Sequence, residues 1–210
     1  ASSMRYAGIS PEIGLSETQQ TLVRNGLRGK VRLQTDGQMK TGHDIVSMAL
    51  LGAEEFGFGT TVLIVLGCVM MRKCHSNTCP MGVATQNPEL RAHFRGHADH
   101  VVNYFRFLAE EVREYLAEMG FRKFNDIIGR TDLIEIDKAV SQKSELLDFS
   151  RLLHKESGDA SIRHTEAQMH DIDSVLDRTI ITASDPAISN GKEVSLEYAI
   201  ANTDRAVGAM

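Results

Sequence analysis

No apolar stretch of the 210-residue chain approaches the ~20 residues that a membrane helix needs. The longest candidate, Thr60 to Leu66, is far too short. There is no basic run, and a formal charge of −5 argues against nucleic acid as a partner. No charged and apolar leader opens the sequence, and no internal repeat or low-complexity segment interrupts it. Cysteine is scarce: there are three, an odd number, all between Cys68 and Cys79. That argues against a disulfide framework. Reduced thiols without a signal predict a cytoplasmic protein. The hydrophobic (42%) and charged (24%) fractions are those of an ordinary soluble chain. Its length suffices for one domain with a real core, or for pieces of two.

What is there is concentrated. Thiolates are soft ligands that select zinc, copper(I) or iron–sulfur centres. Cys68, Cys74 and Cys79, without a fourth cysteine, suit an iron–sulfur centre with three protein ligands better than a four-cysteine zinc site. His75 would complete a zinc site of three cysteines and one histidine, and free core thiols are the third reading. The spacing, five residues and then four, is neither a CxxC knuckle nor a ferredoxin pattern. Met70 and Met71 are expected to face the core.

Along the chain, Ser16-x-x-Gln19 predicts a capping box opening a helix that Gly26 or Gly29 closes. Val31 to Thr35 predicts a strand. Thr41-x-x-Asp44 is a second box, opening a helix with a broad buried face that Gly52 stops. Glu54 to Phe58 predicts a second strand, followed by another apolar segment up to Cys68. Strand–helix–strand–helix within about forty residues is the βαβ pattern of a parallel sheet, so the fold class is α/β. Thr85 to Arg95 is loop-like. Asp99 predicts an N-cap, and Val101, Phe105, Leu108, Val112, Tyr115 and Met119 form one buried helical stripe ending at Gly120. Asp126 to Gly129 suits a short helix. From there to Lys155 the chain reads as a connector laid over the surface, and Gly158 to Asp171 as a polar stretch with solvated His164 and His170. Thr179 to Thr182 and Val194 to Tyr198, separated by a turn at Ser189 to Lys192, predict the beginning of a partly β domain.

The two strand ends carry glycine-rich turns, Asp36-Gly37-Gln38-Met39-Lys40-Thr41-Gly42 and Glu55-Phe56-Gly57-Phe58-Gly59-Thr60. Glycine lets a ligand approach the backbone, and a helix N-terminus offers N–H groups to an anion. Two such turns after successive strands match the phosphate site of a (β/α)8 barrel, with Lys40 as a point charge. The candidate contacts are Asp36, Gly37, Gln38, Lys40, Gly57, Phe58, Gly59 and Thr60. His43, at a helix start, is not assigned to phosphate. Glu54 and Glu55 are strand neighbours on opposite faces, not an acid–base pair, and no catalytic residue is assigned. A barrel oxidoreductase similar to IMP dehydrogenase, with Cys68 as nucleophile, and a zinc-stapled structural module are the alternatives.

Cys68-x5-Cys74-x4-Cys79-Pro80-x-Gly82-x-Ala84-Thr85-Gln86 resembles the 3Fe-4S segment of the glutamate synthase large subunit. The likeness extends through Gly14-Leu15-x-Glu17-Thr18, Leu33 to Gln38, Thr41-Gly42-x-Asp44, Leu50 to Phe58 and His100 to Phe105. The family enzyme is several times longer, so the resemblance implies an internal piece of it, inactive alone. It implies residues 1–128 as the C-terminal part of an FMN-binding (β/α)8 barrel with the iron–sulfur loop at 67–86. It further implies a connector at 129–171 and the start of a glycine-rich β-helix domain at 172–210. The phosphate would be that of FMN; the first turn is also similar to that of the 2-hydroxy-acid oxidases. The family commonly has Arg at His43 and Ala at Gly59. The implied activity is reductive synthesis of L-glutamate from 2-oxoglutarate and glutamine-derived ammonia. Electrons would come from an NADPH/FAD-type small subunit or a ferredoxin, in an oligomeric full-length enzyme.

Overall fold

A computed structural model describes residues 8–37, 39–137, 144–156, 158, 160–169 and 172–209. The chain divides into two compact units, Ala1–Glu166 and Ala167–Met210.

In the first unit, helix α1 (Pro11–Arg24) begins five residues before the expected box, with Ser10 as N-cap and Pro at the first turn. Proline presets a helical φ where its missing N–H costs nothing, and this signal outweighs Ser16 and Gln19. Those two residues are instead buried. Ser16 donates to the Leu152 carbonyl (2.5 Å) and the Gln19 amide to that of Ile162 (2.7 Å). Gly26, at φ +65°, closes the helix as expected, with the Leu27 N–H reaching back to Leu22.

Strands β1 (Gln34–Asp36) and β2 (Glu55–Gly57) pair in parallel, with Thr35 opposite Phe56. Helix α2 (Gly42–Leu50) crosses between them. Its capping box is the predicted one: the Asp44 N–H donates to the Thr41 hydroxyl (3.2 Å), and the Thr41 N–H to the Asp44 carboxylate (3.0 Å). Gly52, at φ +120°, ends it. Helix α3 (Thr60–Val65) follows β2. It closes at Gly67 (φ +96°), where the Cys68 N–H caps the Leu63 carbonyl (2.9 Å). A short helix, α4 (Pro88–Arg91), is capped by Asn87 inside the stretch expected to be loop. Helix α5 (Ala98–Glu118) starts from His97, leaving Asp99 in its first turn, and Gly120 terminates it as predicted.

The core sits on both sides of α2. Ile45 and Met48 pack with Leu15, Met39, Leu51, Ala53 and Leu108; Val46, Ala49 and Leu50 pack with Leu116 and Ile127. The α5 stripe is largely the expected one, with Leu116 added and Phe107 exposed. The expected surface connector is partly core. Leu133, Ile134, Leu152 and Leu153 pack against the two clusters and the Gly129 N–H donates to the Ala49 carbonyl (2.9 Å), while Ile127 and Ile128, in the stretch expected to be a short helix, are fully buried. Residues 160–166 are also docked. The N–H groups of Thr165 and Glu166 both donate to the Gly29 carbonyl, and the His164 N–H donates to Glu54 (2.9 Å).

One buried cation organises this unit. Arg28 is fully buried and pairs with Glu54 (2.5 Å). It also donates to the Gln19 side chain and to the carbonyls of Val31 (2.7 Å) and Gly52 (3.0 Å). A charge taken out of water is tolerated only when paired and hydrogen-bonded. Arg28 meets that condition by tying α1, both strand entrances and the end of α2 together.

In the second unit, helix α6 (Leu176–Asn190) occupies the stretch where Thr179 to Thr182 predicted a strand. Gly191, at φ +64°, caps it by returning its N–H to the Ala187 carbonyl (3.0 Å), with Lys192 reaching Pro186. Among the described residues of this unit there is no strand. No helix among the described residues is long and apolar enough to cross a membrane.

Candidate functional site

The two glycine turns leave adjacent ends of a parallel pair, the edge at which open α/β sheets bind ligands. They are fastened to each other: the buried Thr61 hydroxyl, in the first turn of α3, donates to the Met39 carbonyl in the first turn (2.7 Å). Gly37 sits at φ +112°, where a side chain is strained.

The two glycines of the second turn differ in meaning. A Cβ at Gly57 would lie 2.8 Å from the Asp36 Cβ, so cross-strand crowding alone requires glycine there. At Gly59 a Cβ would meet nothing within 4 Å, and no positive φ demands glycine. Gly59 caps α3 without any side-chain partner, so the first N–H groups of that helix are uncommitted among the described residues. The N-terminus of α2 is already spoken for. The N–H groups of Lys40 and Thr41 go to Asp44, and that of Gly42 to Glu111 on α5 (2.6 Å). Burial works against the Asp44 carboxylate, but the Lys40 and Thr41 N–H groups hold it below its ordinary value. The N–H groups at the start of α2 are thus satisfied within the chain, whereas no side chain caps α3 among the described residues.

Asp36, Gly37, Lys40 and Gly59 are exposed, and Gly57, Phe58 and Thr60 half-buried. Phe58 is engaged edge-on with Phe105 of α5, with ring centres 5.1 Å apart. Gln38 lies outside the described residues. His43 packs edge-on against Tyr115, away from any phosphate role.

Eight residues beyond Thr60, at the other end of α3, the cysteine loop begins. Cys68 and Cys79 are half-buried and Cys74 exposed. All three line one concavity, of about 20 Å³, with Val69, Met71, Arg72, Lys73, Pro80 and Met81. Val69 and Met71 are exposed, against the expectation that Met71 faces the core. No three His, Cys, Asp or Glu side chains among the described residues stand close enough to hold one metal ion. The Cys79 thiol is held below the ordinary thiol range, chiefly by the Ala84 backbone N–H and then, against some loss of hydration, by those of Met81, Val83 and Gly82. Backbone donors gathered at a sulfur favour thiolate, as a cluster ligand requires.

The loop is held in an unusual shape. Met70, Arg72 and Asn77 adopt left-handed backbone at φ +57° to +58°, at about 1–2 kcal/mol each. Its base is clamped by Asn77, whose side chain accepts from Thr85 Oγ1 (2.9 Å) and the Gln86 N–H (2.7 Å). Gly82 (φ +71°) packs so tightly on α4 that a Cβ would come 2.5 Å from the Leu90 carbonyl oxygen. The residues thus match a sulfide-bridged cluster in donor type, while the three thiols are not gathered as ligands here and the concavity would have to widen to seat one.

Sequence reasoning missed Arg28, Thr61, Asn77, Tyr104 and Glu111. Each acts through a partner brought close by folding, and no local spacing marks it.

Comparison with known proteins identifies the family. Residues 1–122 match the conserved region in glutamate synthase. The chain is 51% identical over 99% of its length to the glutamate synthase (NADPH) large chain of Bacillus subtilis, covering 14% of that protein. It is 47% identical over 98% of its length to the NADH glutamate synthase of Schizosaccharomyces pombe, covering 10%. The same identity and share hold for the ferredoxin-dependent chloroplastic enzyme of Oryza sativa, of which it covers 13%. The chain spans about a seventh or less of the length of these relatives. With such identity from end to end, and with the family's conserved region over more than half its length, the chain belongs to the glutamate synthase family.

Proposed function

We propose that this chain is the flavin-phosphate and iron–sulfur portion of a glutamate synthase. One observation carries the reading: the open N-terminus of α3, beside the glycine turns, and Cys68, capping its other end, are joined by a single six-residue helix. At ~1.5 Å per residue that helix is roughly 9 Å long, a short path between two redox groups.

In this reading β1 and β2 are neighbouring strands of a (β/α)8 barrel, and the second unit leads into a β-helix domain. Gly59, Thr60 and Lys40 bind the FMN phosphate, while Asp36, Gly37, Gln38, Gly57 and Phe58 shape the turns. Cys68, Cys74 and Cys79 ligate a 3Fe-4S cluster. When bound, these groups supply stepwise electron delivery and hydride transfer to the imine formed from 2-oxoglutarate and glutamine-derived ammonia. The electron donor is a small subunit of NADPH/FAD type or a ferredoxin, and the full-length protein is an oligomer. The chain's own residues position the groups; none is assigned as acid or base.

Cys74 provides the test, since it is exposed and its replacement disturbs no packing. In a full-length synthase bearing this stretch, Cys74→Ser should retain FMN but lose its reduction by the external donor. Unchanged reduction of the flavin in that variant would refute the proposal.

A further inference from the structure

Lys40, in the first glycine turn, is held by its backbone on both sides. Two successive peptide units flank its Cα, and each is fixed at both ends. In the first, the Met39 carbonyl accepts from the Thr61 hydroxyl (2.7 Å) and the Lys40 N–H donates to Asp44 (2.8 Å). In the second, the Lys40 carbonyl accepts from the Tyr104 hydroxyl (2.7 Å) and the Thr41 N–H donates to Asp44 (3.0 Å). With both planes fixed, the φ and ψ of Lys40 are fixed, and so is the direction of its Cα–Cβ bond. The three anchors come from three elements: Thr61 from α3, Tyr104 from α5 and Asp44 from α2. Burial, and after it the Asp44 charge, push the Tyr104 hydroxyl above its ordinary value, so it remains a protonated donor at neutral pH.

Lys40 itself is exposed. The Asp44 bonds belong to the capping box region of α2 and stabilise the fold whatever the side chain, but the exposed Lys40 side chain by itself gains nothing from the lock. A lysine that must meet an anion does, because fixing its stem removes part of the ordering cost of binding. From this juxtaposition we infer that Tyr104 and Thr61 are positioning residues: by pinning the two peptide planes they aim the Lys40 ammonium at a bound phosphomonoester. This rests on the assignment of the glycine turns to the FMN phosphate and names what tunes it. Glu111, on α5 with Tyr104, holds the Gly42 N–H of the same segment. The segment is therefore anchored to the helix that follows the cysteine loop.

The test compares two probes that differ only in the phosphate, FMN and riboflavin, titrated into the apo form of a full-length synthase bearing this stretch. Tyr104→Phe and Thr61→Val should each weaken FMN roughly three- to tenfold, the effect of one lost hydrogen bond, and leave riboflavin unchanged. A merely structural loss would weaken both probes equally and overturn the inference. In a Lys40→Met background, Tyr104→Phe should have no further effect on FMN; additive losses would also overturn it. If Lys40→Met weakens FMN but Tyr104→Phe does not, the positioning role fails while the phosphate assignment stands. If Lys40→Met itself leaves FMN affinity unchanged, both fail.

Discussion

Replacing Gly82 by alanine adds one methyl group at the point where the cysteine loop rests on α4. Gly82 is at φ +71°, and the new Cβ would stand 2.5 Å from the Leu90 carbonyl oxygen, 2.9 Å from the Phe94 nitrogen and 3.2 Å from the Arg91 Cα. All three are backbone atoms, so no side chain can swing aside. The left-handed conformation costs a non-glycine residue about 1–2 kcal/mol, and forced overpacking adds about 1–3 kcal/mol, together about 2–5 kcal/mol. The loop relieves this by lifting off α4, which withdraws the N–H groups of Ala84, Met81, Val83 and Gly82 from the Cys79 sulfur. Its thiol then returns toward its ordinary range and binds metal less readily. The assay is iron and acid-labile sulfide per chain after passage over a chelating column, beside a thermal melt. Gly82→Ala should lose most of both and melt earlier. Gly14→Ala is the control: it lies inside α1 with nothing within 4 Å of the new Cβ. It should stabilise by about 0.5–1 kcal/mol without touching iron content. Wild-type iron, sulfide and melting in Gly82→Ala would show that the contact between loop and α4 does not support the site.

Two further outcomes concern the first unit. Arg28→Met would leave Glu54, the Gln19 side chain and the carbonyls of Val31 and Gly52 without their donor. It should cost about 3–5 kcal/mol, read as a lower midpoint in urea; a loss under about 1 kcal/mol would mean the network is dispensable. Asp132 is held well below the usual carboxylate range by Arg130 first and then Lys155. A depressed folded-state pKa gives stability that is present above the unfolded value, about 3.9, and is lost as pH falls through the folded one. Because Asp132 and Lys155 are both about two-fifths exposed, the effect is small. Asp132→Asn should flatten the loss of unfolding free energy below about pH 4, and an unaltered pH profile would contradict this.

The parts legible in the sequence were those carried by short-range rules. Thr41 with Asp44, Gly26, Gly52 and Gly120 announce helix ends because a cap acts within one turn of the chain. The βαβ pattern and the α5 stripe follow from periodicity. Misreadings arose where distance in sequence hid a partner. Ser16 and Gln19 have the residue types of a capping box, but they are spent on carbonyls more than 130 positions away. The described parts of the segment, residues 127–137 and 144–153, have weak periodicity because they pack as irregular chain and short 3-10 turns. Thr179 to Thr182 is β-branched and reads as strand, yet it lies within a helix closed by Gly191, with the Thr182 hydroxyl turned back to the Arg178 carbonyl (2.9 Å). The cysteine loop was legible in composition alone. Its left-handed residues, its Asn77 clamp and the N–H groups at Cys79 exist only once the chain has folded.

Metal and sulfide analysis of the anaerobically purified full-length synthase, combined with EPR of the oxidised state, decides whether Cys68, Cys74 and Cys79 do what is proposed for them. About three irons with matching sulfide, and a paramagnetic signal that reduction abolishes, are the expected result. Stoichiometric zinc without sulfide would contradict it.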